Sequence, residues 1–166
     1  TSIKGALRFW WRALAWSSHA DVKEIHKEER KLFGAAADDM PGADVIGQSS
    51  FGVRVRWSNV EPQILNTTEV RALTQGRSRT SYLSYGIINR GKEGPRCCYE
   101  NGHRLVIKLI ALRGDGSNTQ KEIHQSVVEG VKLFGLLGGL GGRSRRGWGS
   151  IALTKLEGAH NWQAPQ

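Results

Sequence analysis

Residues 135–150 read GLLGGLGGRSRRGWGS, seven glycines and three arginines in sixteen positions. That composition suits anion chemistry. Where no side chain intervenes, backbone amides approach a bulky ligand closely, and successive amides form an anion-binding nest. Arg143, Arg145 and Arg146 can clamp phosphate oxygens with forked donors. Trp148 offers a flat surface for a nucleobase, although burial as an anchor is the commoner fate of a tryptophan. A second cationic set lies near the start of the chain, where Lys4, Arg8 and Arg12 recur every four residues and form one ridge along a helix. Such a ridge is ordinarily a solvated face. Here no acid occurs among the first eighteen residues to balance it.

The glycine loop is in the wrong place for a nucleotide. Dinucleotide and nucleoside-triphosphate loops follow a strand and open a helix, so that the helix N-terminus meets phosphate. This loop follows a helical pattern and leads into a strand pattern, and it lacks a Gly-Lys-Ser/Thr ending. A helix C-cap accounts for Gly138 or Gly139 in the left-handed conformation and leaves the other glycines over. The ligand expected is therefore a chain of phosphates, held by Gly139, Gly141, Gly142, Arg143, Ser144, Arg145, Arg146, Gly147 and Trp148.

Catalytic groups are sparse. His19, His26, His103, His124 and His160 show no spacing that pairs them on a metal, and Asp38-Asp39, the only adjacent Asp pair, sits among small turn-forming residues. Cys97 and Cys98 are neighbours, which rarely bridge each other and are too few to close a zinc site; they read as reduced thiols of a cytoplasmic protein. No metal, cofactor or small-molecule substrate is expected. His26, with lysines near it on a highly charged helix, is the candidate general acid for metal-free cleavage of RNA, His19 is the other, and a surface role competes with that reading.

The 166 residues make one ordinary domain, 1–166, with a net charge of +9. The charge is uneven. Residues 1–18 hold three cations and no anion, residues 19–50 four cations against seven anions, and residues 51–113 eleven cations against four anions. Blocks of one sign suit a face built for a polyanion, against the plainer alternative of a generally basic surface. No run approaches the roughly 20 apolar residues of a membrane span, and no signal-peptide pattern is present. The chain opens on Thr1-Ser2 without a methionine, so a natural N-terminus upstream is expected.

The elements that must position these groups follow from periodicity. Thr1 or Ser2 caps a helix whose buried stripe runs through Ile3, Leu7, Trp10 or Trp11, and Leu14. A second, charged helix covers residues 22–33 and ends at Gly34. Residues 51–57, FGVRVRW, alternate as a half-buried strand, with Phe51, Val53, Val55 and Trp57 inward and Arg54 and Arg56 on a basic outer face. Residues 58–81 read as a long irregular loop, and YLSYGII, residues 82–88, as a short strand. RLVIKLIAL, residues 104–112, is nearly all apolar and reads as a central strand covered on both faces. Residues 120–137 form an amphipathic helix, and SIALTKL, residues 150–156, a final strand. With one strand supplied ahead of Thr1, the order is βαββαβ, an α+β, ferredoxin-like fold of the kind RNA-recognition modules share.

Two stretches together, TSIKGALRFWWRAL (1–14) and GLGGRSRRGWGSI (139–151), resemble the RAMP superfamily of CRISPR effector proteins. The helix motif points further, to the first-subunit family of the Cmr, or type III-B, RNA-targeting complex. KLFG (31–34), VRVRW (53–57) and YLSYG (82–86) stand between them in the family's order. The resemblance implies a ferredoxin-like RAMP domain whose first strand lies upstream of Thr1. It also implies contact with guide and target RNA and with other Cmr subunits, and it implies no nuclease activity of the subunit's own. Carried onto this sequence, the matching positions are Lys4, Gly5, Arg8 and Arg12 on the helix and Gly139 to Gly149 in the loop. The expected function is a non-catalytic RNA-binding subunit in which these residues, with Arg54 and Arg56, converge on one phosphate-binding groove. The alternatives are a metal-independent CRISPR RNA-processing endoribonuclease, using His26 or His19, and a structural scaffold subunit whose basic surface packs on acidic neighbours.

Overall fold

Ser2 opens the first helix. Its hydroxyl accepts the Gly5 N–H at 3.0 Å, which satisfies one of the donors a helix start leaves over. The computed structural model describes residues 2–18, 21–35, 47–58, 62–72, 98–112, 123–142, 144, 147–158 and 162–163. Helix α1 (Ile3–Ser18) buries Ala6, Leu7, Trp11 and Ala15, with Ile3 and Trp10 packed at the margin. The choice between the two tryptophans of the stripe falls on Trp11, which is 1% exposed. Helix α2 (Val22–Phe33) starts on Asp21, whose carboxylate accepts the Lys23 N–H at 2.9 Å, and ends at Gly34, whose N–H reaches the Arg30 carbonyl.

Strand β1 (Phe51–Trp57) pairs antiparallel with β4 (Leu105–Ala111), in register from Phe51↔Ala111 to Trp57↔Leu105. Between them in sequence come β2 (Ile64–Leu65), α3 (Thr67–Ala72) and β3 (Cys98–Tyr99), with β2 paired to β3. Helix α4 (Gln125–Leu137) follows, then β5 (Lys155–Leu156) and β6 (Trp162–Gln163), which pair with each other. The core lies between the helices and the inner face of β1–β4. Trp11, Phe33 and Phe51 meet edge to face in series, at 5.7 and 5.3 Å between ring centroids. Val127 and Phe134 of α4 complete it, with Val53, Ile107 and Leu109 packed from the sheet. The Trp11 indole N–H, buried with its ring, donates to the Ser126 hydroxyl at 2.9 Å and so ties α1 to α4.

Four expectations are corrected. β4 does not show the full burial of a central strand: on its outer side Lys108 is exposed and Val106 and Ile110 are half-buried, and among the described residues it pairs only with β1. An apolar run signals burial, but it does not say how many faces are covered. The segment after β1 is not wholly irregular, since it holds β2 and α3. Asn66 and Glu69 form a reciprocal cap there, the Asn66 side chain accepting the Thr68 and Glu69 amides while the Glu69 carboxylate accepts the Asn66 N–H. Helix α4 begins at Gln125 rather than Gln120, with His124 as its cap; the described residues of this stretch start at Ile123. Finally, SIALTKL is not one strand. Ser150 bridges Gly139, the Ile151 and Leu153 amides return to the Gly138 and Gly135 carbonyls at the end of α4, and only Lys155–Leu156 pairs as a strand. The freed carbonyls of a helix end compete for those donors and win them. YLSYGII, Asp38-Asp39, His19, His160 and Cys97 lie outside the described residues.

Candidate nucleic-acid interface

The glycine loop is anchored by its own packing. A β-carbon at Gly138 would strike the Phe134 carbonyl and stand 2.9 Å from the Trp10 indole nitrogen. One at Gly149 would collide with the Leu140 carbonyl, and one at Gly139 would stand 3.0 Å from the Gly149 carbonyl oxygen. The Leu140 N–H donates to the Gly149 carbonyl at 2.8 Å and closes the loop's neck. These glycines are accounted for by close approach within the protein. Gly138 is extended, at φ −89° and ψ 177°, rather than left-handed, because α4 exits directly into the Gly139–Ser150 bridge. Gly141 and Gly147 differ. Both have positive φ, 92° and 84°, and nothing lies within 4 Å of where a side chain would point. They present open backbone on either side of Ser144. Gly142 is exposed and Trp148 half-buried in the same turn, while Arg143, Arg145 and Arg146 lie outside the described residues.

The α1 ridge exists at the expected spacing, but its charge is balanced. The acid comes from α2: Glu29, with a side chain 7% exposed. Arg12 grips it as a fork, Nε to Oε2 and Nη2 to Oε1, both at 2.6 Å. That bond raises the Arg12 pKa above its already high ordinary value, with the Glu29 charge adding to it. Arg8 Nε lies 3.3 Å from Glu29 Oε1, its Nη2 donates to the Phe33 and Gly34 carbonyls at 3.2 and 3.0 Å, and its guanidinium stands over the Phe33 ring. Lys4 holds its ammonium 5.2 Å from the centre of the Phe51 ring. Burial, and then the charge of Arg8, lower its pKa. Gly5 is exposed beside them.

This arrangement corrects the single groove. Trp10 faces the neck of the glycine loop, whereas Arg8 and Arg12 face α2. Each arginine is two positions from Trp10, about 200° around the helix at 3.6 residues per turn. The ridge and the loop's neck therefore occupy opposite flanks of α1. Arg54 and Arg56 are exposed on the outer face of β1, as alternation requires, since Val53 and Phe51 fill the inner one.

The comparisons with known proteins bear on the same stretches. The family model described as RAMP superfamily matches residues 1–152. The chain belongs to the RAMP superfamily. Within it, the likeness runs to the first subunit of the Cmr complex. The chain is 30% identical over 156 residues to the Pyrococcus furiosus protein named CRISPR system Cmr subunit Cmr1-1, covering 93% of this chain and 40% of that one. It also superposes on the crystal structure of apo Cmr1 from Pyrococcus furiosus with a TM-score of 0.64 and 27% identity, covering 90% of this chain and 39% of that one. The chain thus spans about two fifths of the length of these relatives.

In this RAMP chain the described histidines have different surroundings. His26 is exposed on α2. His103 lies 3.8 Å from Glu100 and meets the edge of Trp57, which in turn contacts Tyr99 at 5.2 Å between centroids. The His124 ring faces Ser126 at its own helix start. Among the described residues no three His, Cys, Asp or Glu side chains are grouped to hold a metal, and no helix is long and apolar enough to cross a membrane.

Proposed function

We propose that this RAMP domain is a non-catalytic RNA-binding part of a type III-B CRISPR effector subunit, acting in the cytoplasm on guide and target RNA beside other Cmr subunits. The observation that carries the reading is the open backbone at Gly141 and Gly147, flanking three arginine positions in a loop whose neck is rigidly closed. Fixed amides cost little reorganisation when a phosphate arrives, and arginine forks complete the grip. Trp148 supplies the surface on which a base stacks. Arg54 and Arg56, exposed on the outer face of β1, offer further phosphate contacts. Lys4, Gly5, Arg8 and Arg12, on the other flank of α1, offer RNA only the donors that Glu29, the α2 carbonyls and the aromatic rings leave over. The order α1, β1, β4, α4 supports a ferredoxin-like fold completed by a strand ahead of α1. Such contacts position RNA without reading its sequence. Replacing Arg143, Arg145 and Arg146 together by alanine should flatten the dependence of log affinity on log salt by about 2, roughly 0.7 for each phosphate no longer neutralised. An unchanged slope removes the loop from the site.

A further inference from the structure

We propose that the outer face of β1–β4, built from Arg54, Arg56, Arg104 and Lys108, is a separate binding tract for the sugar-phosphate backbone of single-stranded RNA. The proposal rests on the RNA-binding reading of the protein but on none of the loop's residues. Arg54 lies directly opposite Lys108 in the strand register, and Arg56 opposite Val106. Arg104 shares their side, two residues before Val106, and its carbonyl accepts the Ser58 N–H as the ladder runs out. All four cations are exposed. Among the described residues none of their side chains makes a hydrogen bond or an ion pair, and no acid stands in the register opposite them.

Like charges directly across a ladder destabilise it. A protein that keeps Arg54 against Lys108 gives up stability on that face, and a polyanion would recover it. The spacing suits a phosphate chain. Side chains on one face recur about every 7 Å along a strand, twice the rise per residue, and lie about 5 Å apart across it. That makes a lattice of positive points along one line. A protein partner fits less well, because interface centres are depleted of charge and built on aromatic anchors. Among the described residues this face offers no such anchor: the exposed Val55 is an inner-face position, and the outward apolar residues Val106 and Ile110 are half-buried. The inner face carries the core, so this tract and the core-packed side of the sheet are distinct surfaces.

The test uses the full-length protein and a fluorescein-labelled oligouridine, with affinity followed against salt. Arg104→Gln with Lys108→Gln should lower the slope by about 1.4, so that a fourfold rise in salt costs about sevenfold less affinity than in the wild type. Lys108→Arg should keep the wild-type slope. Lys108→Glu, which sets an acid against Arg54, should raise Tm while weakening RNA binding, a pairing of effects that a purely structural residue does not give. If the loop triple variant flattens the slope and the Gln pair does not, the tract is overturned and the loop reading stands. If the wild type shows no salt-dependent binding, both fall. If oligouridine binding is unchanged but Lys108→Glu no longer assembles with other subunits, the face meets an acidic protein surface and the proposal is overturned.

Discussion

Arg12 and Arg54 are both exposed arginines in acid-poor stretches, and their surroundings give them different tasks. Arg12 spends its fork on Glu29, a carboxylate brought from a helix seventeen residues away. Arg8 shares that acid and also caps two carbonyls at the end of α2. A buried carboxylate is tolerated only when charged donors replace its lost water, and these two arginines do so. Among the described residues Arg54 has no such partner; it stands opposite another cation, Lys108. The same residue type thus fastens α1 to α2 in one place and leaves charge uncompensated in another. A basic stretch therefore points to a polyanion only where the fold has not already neutralised it.

Substitutions at the two places should separate these tasks. The largest effect is expected at Glu29. Glu29→Ala removes the acceptor of charge-assisted bonds from both arginines and should destabilise the fold by about 1.5–3 kcal/mol in a denaturant titration, because bonds to charged groups contribute on that scale. A value near zero would mean that the ridge is as loosely held as the outer sheet face. Gly149→Ala comes next. The strained left-handed position and the collision with Leu140 should cost about 1–3 kcal/mol and loosen the loop's neck, with RNA affinity falling in parallel. On the sheet the balance reverses. Arg54→Gln should leave stability within about 0.5 kcal/mol, as surface changes do, yet reduce the salt slope of RNA binding by about 0.7. Glu29→Ala should change that slope less than Arg54→Gln does.

The smallest effect concerns Lys4 and pH. Burial against Phe51, and then the charge of Arg8, hold its pKa below the ordinary 10.5. The native state therefore releases this proton before the unfolded chain does. Stability should rise slightly as pH increases through the folded-state pKa and level off above 10.5. Lys4→Met should abolish that rise, as read by Tm across an alkaline series.

Much of the scaffold was legible locally. The stripe through Leu7 and Trp11, the span of α2 and the alternation of FGVRVRW each depend on neighbours within a turn or a strand, and each stands in the structure where periodicity placed it, save that Val55 of the inward set is exposed. The cap at Asn66 was also written locally, as Asn-Thr-Thr-Glu, and a search for reciprocal capping pairs finds it. What was not legible depended on tertiary contact. Nothing in α1 shows that its charge is answered by Glu29. Nothing in the loop separates Gly138 and Gly149, required by packing, from Gly141 and Gly147, which are open. Nor does the apolar run of β4 show that its outer side shares an exposed cationic row with β1.

RNA crosslinking on the full-length protein inside its assembly is the decisive measurement. Crosslinked peptides should come from the loop, residues 139–148, and from the β1–β4 outer face around Arg54, Arg56 and Lys108, with the α2 flank of α1 sparsely labelled. An RNA footprint absent from this chain, or confined to the Arg8–Arg12 side, would refute the division between spent and uncompensated charge.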